Sequence, residues 1–154
     1  DDSYDGHNNA NESTAAQLPD GRIYFSARDQ HGTSAGNRLD SHSADGAASL
    51  ERPYTVQPTL DDVPIVQGSV LHHPGAGLLF SGPSVPTARQ AMAVWRSTDG
   101  GTTFTKALTL SQQRAAYSDL VRLDRNTLGI LYETGVTGTY ETIEFRRLPL
   151  DDLT

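Results

Sequence analysis

The chain has 154 residues, 36% of them hydrophobic and 20% charged, a balance that suits a globular protein with a real core, and no apolar run approaches the length of a membrane-spanning helix. Nineteen acidic residues outweigh twelve basic ones for a net charge of −7, and Lys106 is the only lysine, which argues against a nucleic-acid surface built from clustered Lys and Arg. With no cysteine, disulfides, thiol chemistry and thiolate metal sites are excluded, while the redox compartment stays open.

Taken along the chain, one motif recurs: a polar turn followed directly by an apolar strand. It is seen first at Leu18-Pro19-Asp20-Gly21 leading into Ile23-Tyr24-Phe25-Ser26. It returns at Pro74-Gly75-Ala76-Gly77 leading into Leu78-Leu79-Phe80-Ser81, and again at Leu123-Asp124-Arg125-Asn126 leading into Leu128-Gly129-Ile130-Leu131-Tyr132. Residues 29–50, rich in Gly, Ser, Ala and Asp, read as a long connection around a weak hairpin. Period-two alternation marks a strand over residues 89–96, with Met92 and Val94 set against Ala91, Ala93 and Trp95. Another spans residues 140–145, with Ile143 and Phe145 set against Thr142 and Glu144. No window supports a long amphipathic helix, and the 14 glycines and 8 prolines fall mostly where strands end. The class is all-β. His72 and His73 are adjacent on a strand and would point to opposite faces, so no metal is assigned to them, and no cofactor is expected. Trp95 and the tyrosines Tyr4, Tyr54, Tyr132 and Tyr140 are expected chiefly to fill gaps between sheets.

The most informative segment is Ser97-Thr98-Asp99-Gly100-Gly101-Thr102-Thr103-Phe104. Asp99 can accept hydrogen bonds from its own turn, Gly100 and Gly101 supply positive φ, and Thr103-Phe104 restarts a strand at once. A degraded copy stands about fifty residues earlier at Ser43-Ala44-Asp45-Gly46-Ala47-Ala48-Ser49-Leu50, and the turn-plus-strand motif repeats at a similar interval. A period near fifty residues with four short strands per unit is what propeller blades require.

The pattern Ser-x-Asp-x-Gly-x-Thr-aromatic resembles the Asp-box of sialidases, exo-acting neuraminidases built on a β-propeller that is six-bladed in the family. There the box joins the third and fourth strands of a blade, away from the active face. The resemblance runs from about Asn11 to Phe145 and implies that residues 1–154 form a single partial domain of roughly three blades, the C-terminal half of the catalytic propeller. The N-terminal half of the same propeller is then an expected partner, since three blades leave two flanks open.

Site residues follow from the same resemblance. Glu12 looks like the glutamate that partners the nucleophile, Arg28 like the second arginine of the carboxylate-binding triad, and Arg89 like the third. Tyr117, in Ala115-Ala116-Tyr117-Ser118-Asp119-Leu120, matches the tyrosine nucleophile. Glu133 matches the glutamate that orients the first arginine, and Gln67, in Val66-Gln67-Gly68-Ser69, lies in a further family segment. These types make chemical sense together. A sialic acid carries a carboxylate on its anomeric carbon, arginine forks bind that group in bidentate fashion, and a neutral phenol approaches it without the repulsion an Asp or Glu nucleophile would meet. The family's first triad arginine and its acid/base aspartate have no counterpart in the chain.

The expectation is therefore a retaining glycoside hydrolase that releases terminal sialic acid from sialylated glycoconjugates, secreted or extracellular, with the 154-residue segment alone inactive or nearly so. A sialoside-binding propeller without turnover, or an Asp-box scaffold for assembly, are the alternatives. Each residue alone is weak support, because a lone Tyr before a strand is usually a core residue. It is their joint spacing that favours the hydrolase.

Overall fold

The computed structural model describes residues 8–32 and 37–153, so Tyr4 lies outside the described residues. Eleven strands and one terminal turn of 3-10 helix, Leu150–Leu153, follow one another along this stretch. A four-stranded antiparallel sheet has the order β1 (Ala10–Gln17), β2 (Ile23–Asp29), β3 (Arg38–Ser43) and β4 (Thr55–Val56). A second blade is made by β5 (Ser69–His73), β6 (Gly77–Val85), β7 (Ala88–Ser97) and β8 (Thr105–Thr109). The third unit is β9 (Arg114–Arg122), β10 (Thr127–Gly135) and β11 (Thr142–Pro149), tied to the second by a single β7–β9 pair, Gln90 with Arg114. Three successive antiparallel meanders make this a partial β-propeller.

Apolar layers fill the spaces between these sheets. The central blade explains why its strands read as near-continuous apolar runs: both of its faces are buried. On β6 and β7, Phe80 and Trp95 pack with Tyr24, Val63 and Val66 toward the first blade, their rings 5.5 Å apart. The alternate residues Leu79, Met92 and Val94 pack with Leu128, Ile130 and Tyr132 toward the third. The alternation expected at residues 89–96 thus separates two cores rather than a core from solvent.

Within the long connection of residues 29–50 stands a buried strand: Arg38–Ser43 lies between β2 and β4, and all of it but His42 is buried. Its polar sequence Arg-Leu-Asp-Ser-His-Ser hides that burial, because the polar groups are satisfied internally: Tyr24 Oη donates to Asp40 at 3.2 Å and Gln57 Nε2 at 2.8 Å, with Arg52 paired to the same carboxylate at 2.6 Å. In the last strand the apolar side of the alternation faces outward. Ile143 and Phe145 are exposed, while Glu144, on the opposite face, accepts from Tyr132 Oη at 2.6 Å. With Val121 and Leu131 they give the third sheet an open apolar face.

The boxes sit where β3 passes to β4 and β7 passes to β8, and they share one hydrogen-bond pattern. Ser97 Oγ donates to Asp99 at 2.8 Å and accepts from Gly101 N at 2.9 Å, while Thr103 gives Asp99 both its N–H and its hydroxyl. Ser43, Asp45, Ala47 and Ser49 repeat every one of these bonds. The degraded copy is therefore a complete box in geometry.

Candidate active site

At the end of the sheets opposite the boxes, strand irregularities aim the functional side chains. Glu12 occupies a bulge in the β1–β2 ladder, between the pairs Asn11–Arg28 and Thr14–Ser26. Its φ of 38° lies in the left-handed region, and its N–H is held by Asn11 Oδ1 at 2.8 Å. The extra residue turns its carboxylate off the normal alternation. A second irregularity lies between Tyr132 and Thr134 on β10, opposite Ser118 and Ala115 of β9. Glu133 there accepts from Tyr117 N at 3.1 Å. A third, between Pro83 and Val85, precedes Arg89 at the head of β7. None of the three carries a glycine.

These devices bring four expected residues together. Tyr117 Oη donates a short hydrogen bond to Glu12 Oε1, and Arg28 Nη1 donates to Glu12 Oε2 at 2.8 Å. The guanidinium of Arg89 lies over the Tyr117 ring, 5.7 Å from its centroid, within the range of a cation–π contact. Gln67 reaches Ser118 from the second blade: its Oε1 accepts from Ser118 N and its Nε2 donates to Ser118 O, both at 3.0 Å. Ser69 continues this seam, accepting from Leu120 N at 3.1 Å. Side chains thereby replace a backbone ladder between β5 and β9, fixing the strand that carries Tyr117.

The electrostatics assign the resting protonation states. The hydrogen bond to Glu12, with partial burial and the Glu12 charge, raises the Tyr117 pKa above the ordinary phenol value, against the charges of Arg28 and Arg89. Partial burial works to raise Glu12, but hydrogen bonds from Tyr117 and Arg28 and the two arginine charges outweigh it and leave the carboxyl low. The pair therefore rests as phenol and carboxylate, hydrogen-bonded to each other.

An open cleft of about 460 Å³ adjoins Tyr117 and is lined also by Ser13, Thr14, Asp119 and Glu133. A second hollow, about 380 Å³, lies beside Arg89 among Pro64, Ile65 and Pro86. A third, about 310 Å³, lies by Thr98, Thr103 and Asp152 at the box end and holds none of these groups. One residue of the site escaped the sequence reading. Tyr140, expected to fill a gap, is 66% exposed, and its hydroxyl accepts from Arg89 Nη1 at 2.6 Å. It lies in the turn just before β11 rather than in the strand expected from residue 140, and nothing in the sequence marks it as a contact of Arg89.

The BNR repeat-like domain model matches residues 3–130. The chain belongs to the BNR repeat-like domain family. A sialidase of Micromonospora viridifaciens is 31% identical over 133 residues, 80% of this chain and 20% of its own length. The solved Hadza microbial sialidase Hz136 superposes with a TM-score of 0.80 at 26% identity, over 95% of this chain and 29% of its own. The intramolecular trans-sialidase from Ruminococcus gnavus, solved with oseltamivir carboxylate, gives 0.70 at 21% identity, over 97% of this chain and 34% of its own, and at that identity carries the fold alone. The family member described here thus spans about a fifth to a third of the length of these proteins, and its partial propeller is theirs.

Proposed function

We propose that the chain supplies the nucleophile side of a retaining exo-α-sialidase, with its remaining groups on an N-terminal half of the same propeller. The observation that carries this reading is the Tyr117 phenol donating to Glu12 while Arg28 pairs with the same carboxylate. Arg28 and Arg89 would take the substrate carboxylate. Tyr117 Oη would attack the anomeric carbon as its proton passes to Glu12, and the glycosidic oxygen would leave with a proton from an acid outside this chain. Water then attacks the same carbon and gives its proton back to the acid outside this chain, the tyrosyl oxygen departs and recovers its proton from Glu12, and two inversions give net retention. A raised phenol pKa suits such a step, because phenolate character then develops only as the proton moves to Glu12.

Support comes from the sialidase relatives and from the joint placement of four residues expected from the resemblance. Release of methylumbelliferone from its α-sialoside by the full-length protein is the test. Tyr117→Phe should lower kcat by on the order of 10³-fold or more. Turnover unaffected by that change, or none by the unaltered and folded protein, would move the assignment to a binding or scaffold propeller. Sialylated glycoconjugates as substrates, and a secreted or extracellular setting, belong to the same proposal.

A further inference from the structure

The turn that carries Tyr140 is built to hold one position. Glu141 Oε2 accepts from Val136 N at 2.8 Å, and Oε1 accepts from Gly138 N at 2.8 Å, from Thr137 N at 3.2 Å and from the Thr137 hydroxyl. A single carboxylate thus gathers three successive N–H groups, so the turn closes on itself and presents the Tyr140 ring to solvent. Among the described residues this large exposed aromatic ring on so fixed a turn makes one side-chain hydrogen bond, and it is to Arg89. The guanidinium donates through Nη1 to Tyr140 Oη at 2.6 Å and through Nη2 to Ile65 O at 3.4 Å, while its plane lies over Tyr117. The outer nitrogen that an incoming carboxylate oxygen would need is occupied by a neutral phenol.

Resting on the sialidase reading of this site, we propose that the Tyr140 hydroxyl is a placeholder for the substrate carboxylate on the Arg89 fork. In the free protein it keeps the guanidinium aimed across Tyr117. When a carboxylate arrives, the phenol gives way, because the anion adds attraction between opposite charges and a second acceptor oxygen, neither of which a neutral phenol offers the fork. Exposure of the ring lets it swing without disturbing the core, and Ile65 O keeps the other arm of the fork in place. Tyr140 is then a positioning residue that tunes affinity through Arg89, and its hydroxyl competes with the ligand it prepares for.

The experiment is calorimetric titration of the full-length protein with the unsaturated glycal of N-acetylneuraminic acid and, separately, with that glycal's methyl ester, which lacks the anionic oxygens. Unaltered protein should bind the acid more tightly than the ester. Tyr140→Phe, which keeps the ring and removes the hydroxyl, should tighten the acid roughly three- to tenfold and leave the ester unchanged. In an Arg89→Met background the same change should do nothing to either ligand. An unaltered protein that binds acid and ester alike overturns the sialidase reading and this proposal with it. A preserved preference for the acid, with Tyr140→Phe neutral, weakening, or equally tightening for both ligands, overturns this proposal alone.

Discussion

In the proposed mechanism Glu12 must do two things that conflict in an ordinary environment: stay ionised while partly buried, and accept a proton from a phenol. Against the burial that would raise it, the hydrogen bonds from Tyr117 and Arg28 and the charges of Arg28 and Arg89 hold the carboxyl low. A lowered carboxyl titrates at lower pH than a free glutamate, so the base form persists further into acid. The acid limb of kcat/KM for sialoside hydrolysis is accordingly expected below the ordinary glutamate value of 4.5. Arg28→Met removes both the ion pair and the nearer charge and should move that limb to higher pH; a limb that stays put in the variant would show that Arg28 does not set the Glu12 titration. Glu12→Gln should cost roughly 10²–10⁴-fold in kcat with the protein still folded. That Glu12 and Arg28 would meet beside Tyr117 could be expected from the resemblance, in which a sugar carboxylate and a tyrosine nucleophile restrict the side chains that serve them. The bulge that aims Glu12 could not, because its φ of 38° is imposed on a glutamate by Asn11 and the ladder around it, without a glycine to announce it.

Within single elements, the two boxes make a natural comparison, since they share the Ser–Asp–Ser/Thr bonds, while only the second adds one from the Thr102 hydroxyl to Asp99 O, and they differ at the position of Gly101 and Ala47. Gly101 has φ 94° and its missing Cβ makes room for the Tyr24 ring, whereas Ala47 holds φ 71° at the equivalent place with a side chain attached. A left-handed conformation costs an L-residue about 1–2 kcal/mol, part of it offset by the greater freedom that glycine loses on folding. Ala47→Gly should therefore stabilise the chain by about 0.5–1 kcal/mol, and Gly101→Ala should destabilise it by about 2–4 kcal/mol through strain and collision with Tyr24. Urea unfolding of both variants checks the pair, and similar shifts in one direction would refute the account. The first box also ties stability to pH. Asp45 is held at about 2 by the Ser49 N–H, the Ser49 hydroxyl and Ser43, so its folded-state pKa lies below its unfolded one. Its contribution is fully present above the unfolded value of 3.8 and is lost as pH falls toward 2. Asp45→Asn should lower stability at neutral pH and flatten the decline between those two values; an unchanged slope in acid unfolding curves would count against it. The boxes were legible because turn chemistry is local. The strand Arg38–Ser43 was not, because its polar residues are paid for by partners such as Gln57 and Arg52 that only the fold brings near.

For the molecule as a whole, the repeat period was sufficient to give the blade order, but it carried no information on which faces meet another sheet. That is why the apolar alternation at Ile143 and Phe145 was read correctly as a strand while its outward direction had to come from the structure. Among the described residues the open face of the third sheet joins Val121, Leu131, Ile143 and Phe145, and apolar surface gathered in this way commonly marks an interface. Tyr117 and Glu133 line the cleft that borders this face, together with Leu131 and Ile143. A further half-propeller docked there would cover the apolar side chains and close the cleft in one step. By the family resemblance it would also bring the first triad arginine and the proton donor to the leaving oxygen. The 154-residue chain by itself should then hydrolyse methylumbelliferyl sialoside at no more than about 10⁻² to 10⁻⁴ of the full-length rate, the share that general acid catalysis contributes. Co-expression with the remainder of the propeller should restore the activity. Phe145→Glu, at a half-exposed position, should block the restoration while leaving the unfolding midpoint of the isolated chain nearly unchanged. Strong turnover by the isolated chain would sink this view, since Glu12, Arg28, Arg89 and Tyr117 would then suffice; restoration undiminished by Phe145→Glu would place the docking surface elsewhere.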